Sequence, residues 1–198
     1  MSKLETNTID TVSGTSTLQV GSTNTSTITL GASGDTINIP SGATIANSGT
    51  ATGFGANTPS FHVTQSASQN FATATTTKIT YDTELYDVGG GFNTSNNNFT
   101  VPSGEAGKYF FYMQTQGIFA DADGEFCKMN LFINDTETKN TRICRGVVNT
   151  DSAFFHTVVV DLSVGDVVDA RLYHTQGTTR GNDNNAKVTY FLGYKLIG

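Results

Sequence analysis

The sequence predicts an all-β protein: a compact sandwich in the second part of the chain, preceded by a thin stalk of short strands. Three observations carry that expectation. No stretch shows the 3.6-residue apolar period of an amphipathic helix. Period-two alternation recurs instead, between clusters of Gly, Asn, Asp, Ser and Thr. The third is a break in composition. Of 11 basic and 17 acidic side chains the first sixty positions hold only Lys3, Glu5, Asp10 and Asp35, and their one aromatic is Phe54. The chain therefore divides into a Ser/Thr/Gly-rich segment, 1–58, and a domain, 59–198, long enough to bury its own core.

In residues 17–42 aliphatic pairs stand at Leu18/Val20, Ile28/Leu30 and Ile37/Ile39, ten and then nine residues apart. Residues i and i+2 point to one side of a strand, so each pair makes one thin apolar stripe, and the Gly, Ser, Thr and Asn between pairs suit tight turns. Eight large aliphatics (Val12, Leu18, Val20, Ile28, Leu30, Ile37, Ile39, Ile45) fall far short of the backbone entropy lost in ordering the residues around them. Two readings stay open. Composition favours a disordered linker; the regular spacing favours several copies winding together so that the stripes meet, the β stalk expected here.

The stretch "IPSGATIANSGTATGFG" closes this part, with Pro40 and the glycines at 42, 49, 53 and 55 marking turns in a neck. It resembles N-terminal segments of virion fibre proteins of tailed phages, marine ones in particular, where "PSGATIxNSGTATGF" text recurs. That resemblance is confined to the low-complexity part of the chain.

In the second part, strands are expected at 61–65, 77–82, 99–101, 107–119, 125–134, 141–148, 153–162, 166–174 and 187–197, bounded by "GGGFNTSNNN", "DADG", "NDTETKN" and "TTRGNDNN". Some carry apolar residues on both parities. Tyr109, Phe111 and Met113 oppose Phe110 and Tyr112, and Val188, Tyr190, Leu192, Tyr194 and Leu196 oppose Phe191 and Ile197. One face belongs to the sandwich core. The other calls for a further sheet edge or another subunit, or else these are interior strands of one larger core.

The ordered blocks "KITYD", "LYDVGGGF", "FTVPSGEAGKYFFYMQTQG", "MNLFIND", "VVVDLSVGDVVDARLYH" and "VTYFLGYKLIG" resemble the C1q/TNF-like jelly roll. That family shows an aromatic–Asp strand, F-x-x-P…G-x-Y-x-F, a short I-N strand, L-x-x-G-D-x-V and a closing F-x-G-x-x-L. The resemblance implies a compact homotrimer with first and last strands close together and a bundle of loops at one end. It also implies that Phe99, Pro102, Tyr109 and Phe111 pack the sheets and that Asp166 sits in a turn. The Asn-rich insertion before Phe99 and the "TTRGNDNN" loop depart from the pattern.

Several chemistries lose support. A net charge of −6 with scattered basic residues argues against nucleic acid as a partner. No run approaches the roughly 20 apolar residues of a membrane span, and "MSKLETNTID" lacks a signal-peptide core. Cys127 and Cys144 allow at most one internal disulfide; Cys127 shares parity with Met129, Leu131 and Ile133, as a small buried hydrophobe would. In "DADGEF", Asp121, Asp123 and Glu125 offer calcium-type oxygens, but Asp-Gly between strands is an ordinary hairpin turn, the favoured reading. His62, His156 and His174 form no zinc pattern. There is no G-x-S-x-G elbow, and the glycines at 89–91 lack the lysine of a phosphate loop. No catalytic residue, metal or cofactor is expected.

The function expected is that of a non-enzymatic virion protein of a tailed phage. It is made in the host cytoplasm, homotrimeric on the particle surface, and acts as a capsid decoration (cement) protein bound to other virion proteins. Size favours this over the alternative, a short tail fibre binding a host glycan or receptor, because receptor-reaching fibres are usually longer. A cellular C1q-like module would bring a secretory signal and a collagen-like or helical stalk, and a depolymerase would need a catalytic constellation.

Overall fold

The computed structural model describes residues 20, 24, 26–46, 48, 57–117, 119, 124–138, 142–144, 151–183 and 188–196. The chain divides into two units, residues 1–51 and 52–198. In the first, tight turns form at Ser33-Gly34 and Ser41-Gly42. The Asp35 carboxylate accepts from the Ala32 amide at 2.7 Å while the Asp35 amide donates to the Ala32 carbonyl at 3.0 Å. The Ala43 amide closes the second turn onto the Pro40 carbonyl at 3.0 Å, and Gly42 supplies the φ of 87° it needs. The turns bracket Ile37/Ile39 as the spacing predicts. The strands expected at the aliphatic pairs are not formed among the described residues: one chain offers this segment no ladder partner, and Ile28, Leu30, Ile37 and Ile39 stay 48, 64, 58 and 46 % exposed.

The second unit is all β. Among the described residues its strands are β1 (Ser60–Thr64), β2 (Asn70–Phe71), β3 (Thr77–Lys78), β4 (Thr83–Val88), β5 (Phe92–Asn93), β6 (Asn98–Thr100), β7 (Gly107–Gly117), β8 (Cys127–Ile133), β9 (Thr136–Glu137), β10 (Arg142–Cys144), β11 (Ser152–Leu162), β12 (Val167–His174), β13 (Arg180–Gly181) and β14 (Tyr190–Lys195). One sheet runs β11-β7-β14-β1-β4. The facing sheet runs β10-β8-β12-β6-β5, with β3 added to β12 and β9 to β8, while β13 and β2 form a small separate pair.

Alternation sets which residues meet between the sheets. In β7 the buried set is Tyr109, Phe111, Met113 and Thr115, and Phe110, Tyr112 and Gln114 look the other way. Phe61, Phe92, Phe99, Phe111 and Phe191 gather at the centre, with Phe61 at 4.9 Å from Phe191, 5.0 Å from Phe92 and 5.1 Å from Phe99 between ring centroids. The residues of the expected F-x-x-P…G-x-Y-x-F block do pack the sheets through Phe99, Tyr109 and Phe111, all fully buried, whereas Pro102 is half-buried. Asp166 sits in its turn, where its carboxylate accepts from the Ser163 amide and from Asn134 Nδ2, each at 2.8 Å.

Strand β4 lies outside the strands expected from the sequence. All but Asp87 of "TELYDV" is exposed, and the strand sits at a sheet edge, so no buried alternation betrays it. The two-residue strands β2, β5, β9 and β13 are likewise too short for a periodic signal.

Register fixes the two ends of the sandwich. Ser60 pairs with Tyr194 and Tyr109 with Lys195, so the start of β1 and the end of β14 share one end. Thr64 pairs with Tyr190 and Gly117 with Ser152, placing residues 65–69 and 175–183 at the other.

Candidate functional site

The outward side of the five-stranded sheet carries one aromatic ring from each strand in a continuous row. Phe155 on β11 stacks on Tyr112 of β7, with centroids 6.1 Å apart and planes 6° from parallel. Tyr112 stacks on Tyr190 of β14 at 5.4 Å and 13°. Tyr190 meets His62 of β1 at 5.4 Å, and His62 meets Tyr86 of β4 edge-on at 6.0 Å. Beside the row, Phe110 and Tyr194 pair at 5.2 Å, and Val88 and Val159 are 50 and 49 % exposed. The row exists because β7 and β14 place large side chains on both parities. The core needs only one set.

The face thus leaves Phe155, Tyr86, Val88 and Val159 each more than two-fifths exposed. Tyr112 donates to Gln114 Oε1 at 2.5 Å, and burial, followed by Tyr190, pushes its hydroxyl up to about 12. Burial holds the His62 imidazole below its usual value, favouring the neutral form.

Opposite the chain-entry end, a buried polar network braces the loops. Asn182 donates through Nδ2 to Gln65 Oε1 at 2.7 Å and to Thr115 Oγ1 at 3.0 Å, while its Oδ1 accepts from the Gln69 amide at 2.8 Å. Thr115 and Thr189 share a 3.2 Å hydroxyl contact, and Thr189 donates to the Asp183 carbonyl at 2.6 Å. Over this network lies an open cavity of about 370 Å³ lined by Gly117, Asp151, Arg180, Gly181, Asn182 and Asp183.

On the outer side of the other sheet, the buried Asp169 carboxylate takes Lys78 Nζ at 2.9 Å and Arg171 Nε at 2.6 Å. Arg171 also reaches Asp135 and lies 4.1 Å over the Phe132 ring. Its guanidinium is held charged, first by the hydrogen bond to Asp169, against desolvation, with Asp135 adding. These groups satisfy one another and fasten β3 to β12.

The residues singled out from the sequence scatter. Asp121 and Asp123 lie outside the described residues, and Glu125 is half-buried; among the described residues no group of three or more His, Cys, Asp or Glu could hold a metal ion. His156 lies in β11, buried as a packed group, and the His174 Nε2 sits 3.0 Å from the Phe71 carbonyl inside the domain. The glycines at 89–91 form a turn in which the Gly91 and Phe92 amides donate to the Asp87 carboxylate at 3.3 and 3.0 Å. Cys127 is 1 % exposed, as its parity predicts.

The class this architecture defines is the C1q/TNF-like jelly roll. Among solved structures the chain is similar to the globular domain of the zebrafish complement 1qA protein, at 16% identity and TM-score 0.50, covering 70% of this chain and 97% of that one. It is also similar to murine APRIL. The pH 5.0 structure gives 15% identity and TM-score 0.52, and the pH 8.0 structure 14% and 0.52; each covers 69% of this chain and 98% of that one. At such identities the likeness establishes the fold. No protein-family model matches the chain, and no curated protein does.

Proposed function

We propose that this protein is a non-enzymatic structural component of a tailed-phage virion, a homotrimer on the particle surface that acts as a capsid decoration protein. The outward aromatic row carries the reading. Five rings on one sheet face, with Val88 and Val159 beside them, call for a partner surface. The C1q/TNF-like fold supports two further copies as that partner. The exposed Ile28, Leu30, Ile37 and Ile39 stripes supply further apolar contact, between copies or with capsid subunits, and the likeness of residues 39–55 to phage fibre proteins supports the virion setting. Each trimer would bridge neighbouring shell subunits and oppose internal pressure through the added binding energy.

Two measurements test this. Sedimentation should return three times the 21.0 kDa of one chain, and a stable monomer at micromolar concentration overturns the trimer. Imaging of particles carrying the labelled chain should place density over the shell. A short tail fibre is the second reading, favoured by the cavity with Asp151, Arg180 and Asp183 at the end away from chain entry. Density at the tail, with purified trimer binding host cells, would select it.

A further inference from the structure

Strand β10 lies antiparallel to β8 at the edge of the second sheet. Its register sets Arg142 against Met129, Ile143 against Lys128 and Cys144 against Cys127. Residues directly opposite in an antiparallel ladder have Cα atoms about 4.5–5.5 Å apart in general. A disulfide needs about 4.4–6.8 Å between Cα atoms, a range that such a rung meets. The role of a small buried hydrophobe accounts for Cys127 alone. It gives no reason for the second cysteine of the chain to stand at the one position opposite the first.

The strands differ in what holds them. β8 is seven residues long and pairs with β12 along its length, whereas β10 is three residues long and pairs with β8 on the sheet path. A covalent tie at the 127/144 rung would pin the short strand to its longer neighbour.

We propose that Cys127 and Cys144 form a reversible cross-strand disulfide when the protein meets a disulfide oxidant such as oxidised glutathione. The thiolate of one cysteine attacks a glutathione sulfur, forming a mixed disulfide and releasing one glutathione thiolate. The second cysteine thiolate attacks the protein sulfur of that mixed disulfide and releases the other. Two cysteine thiols and one oxidised glutathione thus become one protein disulfide and two reduced glutathiones, the two protons passing to the released thiolates. In a reducing cytosol the pair stays as thiols, and the bridge closes in oxidising surroundings.

The test uses the full chain, incubated with oxidised glutathione or with dithiothreitol. Trypsin cuts after Lys108, Lys128, Arg142 and Arg145, so the bridge joins peptide 109–128 to peptide 143–145 in one species that vanishes on reduction. Thiol titration in denaturant should fall from two per chain to none, and the oxidised protein should melt about 5–10 °C above the reduced one. In Cys144→Ser that difference should disappear. Two thiols persisting after oxidation, stable glutathione adducts, or disulfide-linked pairs of chains on a non-reducing gel would each overturn the proposal. The wild-type peptide map decides the matter even where a variant fails to fold.

Discussion

Tyr112 and Tyr190 lie face to face across the β7–β14 ladder, ring centroids 5.4 Å apart and planes 13° from parallel, on the side turned away from the core. Neither ring is needed to fill the sandwich. Tyr112→Ala or Tyr190→Ala is therefore expected to weaken self-association by on the order of ten- to a hundredfold per contact, with little loss of melting temperature in the isolated subunit. Sedimentation velocity across a dilution series reads the first effect and circular dichroism the second. Unchanged association would remove the aromatic row from the interface.

The buried Asp169 anchors two cations, Lys78 and Arg171, whose side chains are 34 and 17 % exposed. Removing the carboxylate leaves Lys78 without its ion pair and Arg171 with Asp135 alone, so Asp169→Ala should cost about 3 kcal/mol, the usual cost of breaking a buried pair. Urea unfolding measures it. Lys78→Met should cost less, since Arg171 still covers Asp169, and equal losses in the two variants would contradict this ordering.

Gly193 is where β14 passes the central rings. A Cβ there would fall 2.5 Å from Phe111 Cδ1 and 2.8 Å from Phe61 Cε1, both held by neighbouring aromatics. Gly193→Ala is expected to lower stability by about 3 kcal/mol, or about 6–12 °C in melting temperature. A melting curve matching wild type would show that the rings can retreat.

Acid should act through His62 before any carboxylate. Burial lowers its pKa from 6.5, and its Nε2 has no hydrogen-bond partner among the described residues. Tyr86, Tyr190 and Leu192 face it, with Glu84 two residues from Tyr86 along β4. As pH falls, the unfolded chain takes up the proton first. The contribution is whole above 6.5 and is lost as pH drops from 6.5 to the lowered native value. Unfolding free energies should therefore decline as pH falls below the unfolded value of 6.5 in wild type and stay flatter in His62→Phe. Parallel profiles would refute the assignment.

Much of the sandwich was legible because its long strands alternate. "YFFYM" separates Tyr109, Phe111 and Met113 from Phe110 and Tyr112 by parity, and the structure buries the first set completely. In β14 the crowded parity, Tyr190, Leu192 and Tyr194, proved to be the outward one, while Phe191 enters the core with Gly193 making room beside it. Alternation shows that two sets exist and cannot say which faces in. The Lys78–Asp169–Arg171 cluster left only a faint mark, Asp169 and Arg171 sharing parity in "VVDARLYH", and Lys78 reaches them through pairing of β3 with β12. Gln65, Thr115, Asn182 and Thr189 left none, because a polar network assembled from four separated segments has no local period to read.

The separation of the two ends of the sandwich also bears on what the molecule can be made to carry. Chain entry at Ser60 lies by Tyr194, whereas Thr178 and Thr179 stand exposed at the far end on a connection braced by Asn182. A foreign epitope spliced there would ride on its own rigid footing, a strand's length from the tether. Such a chain offers natural drift, or an engineer, a tip that can be rewritten while the mount stays as it is.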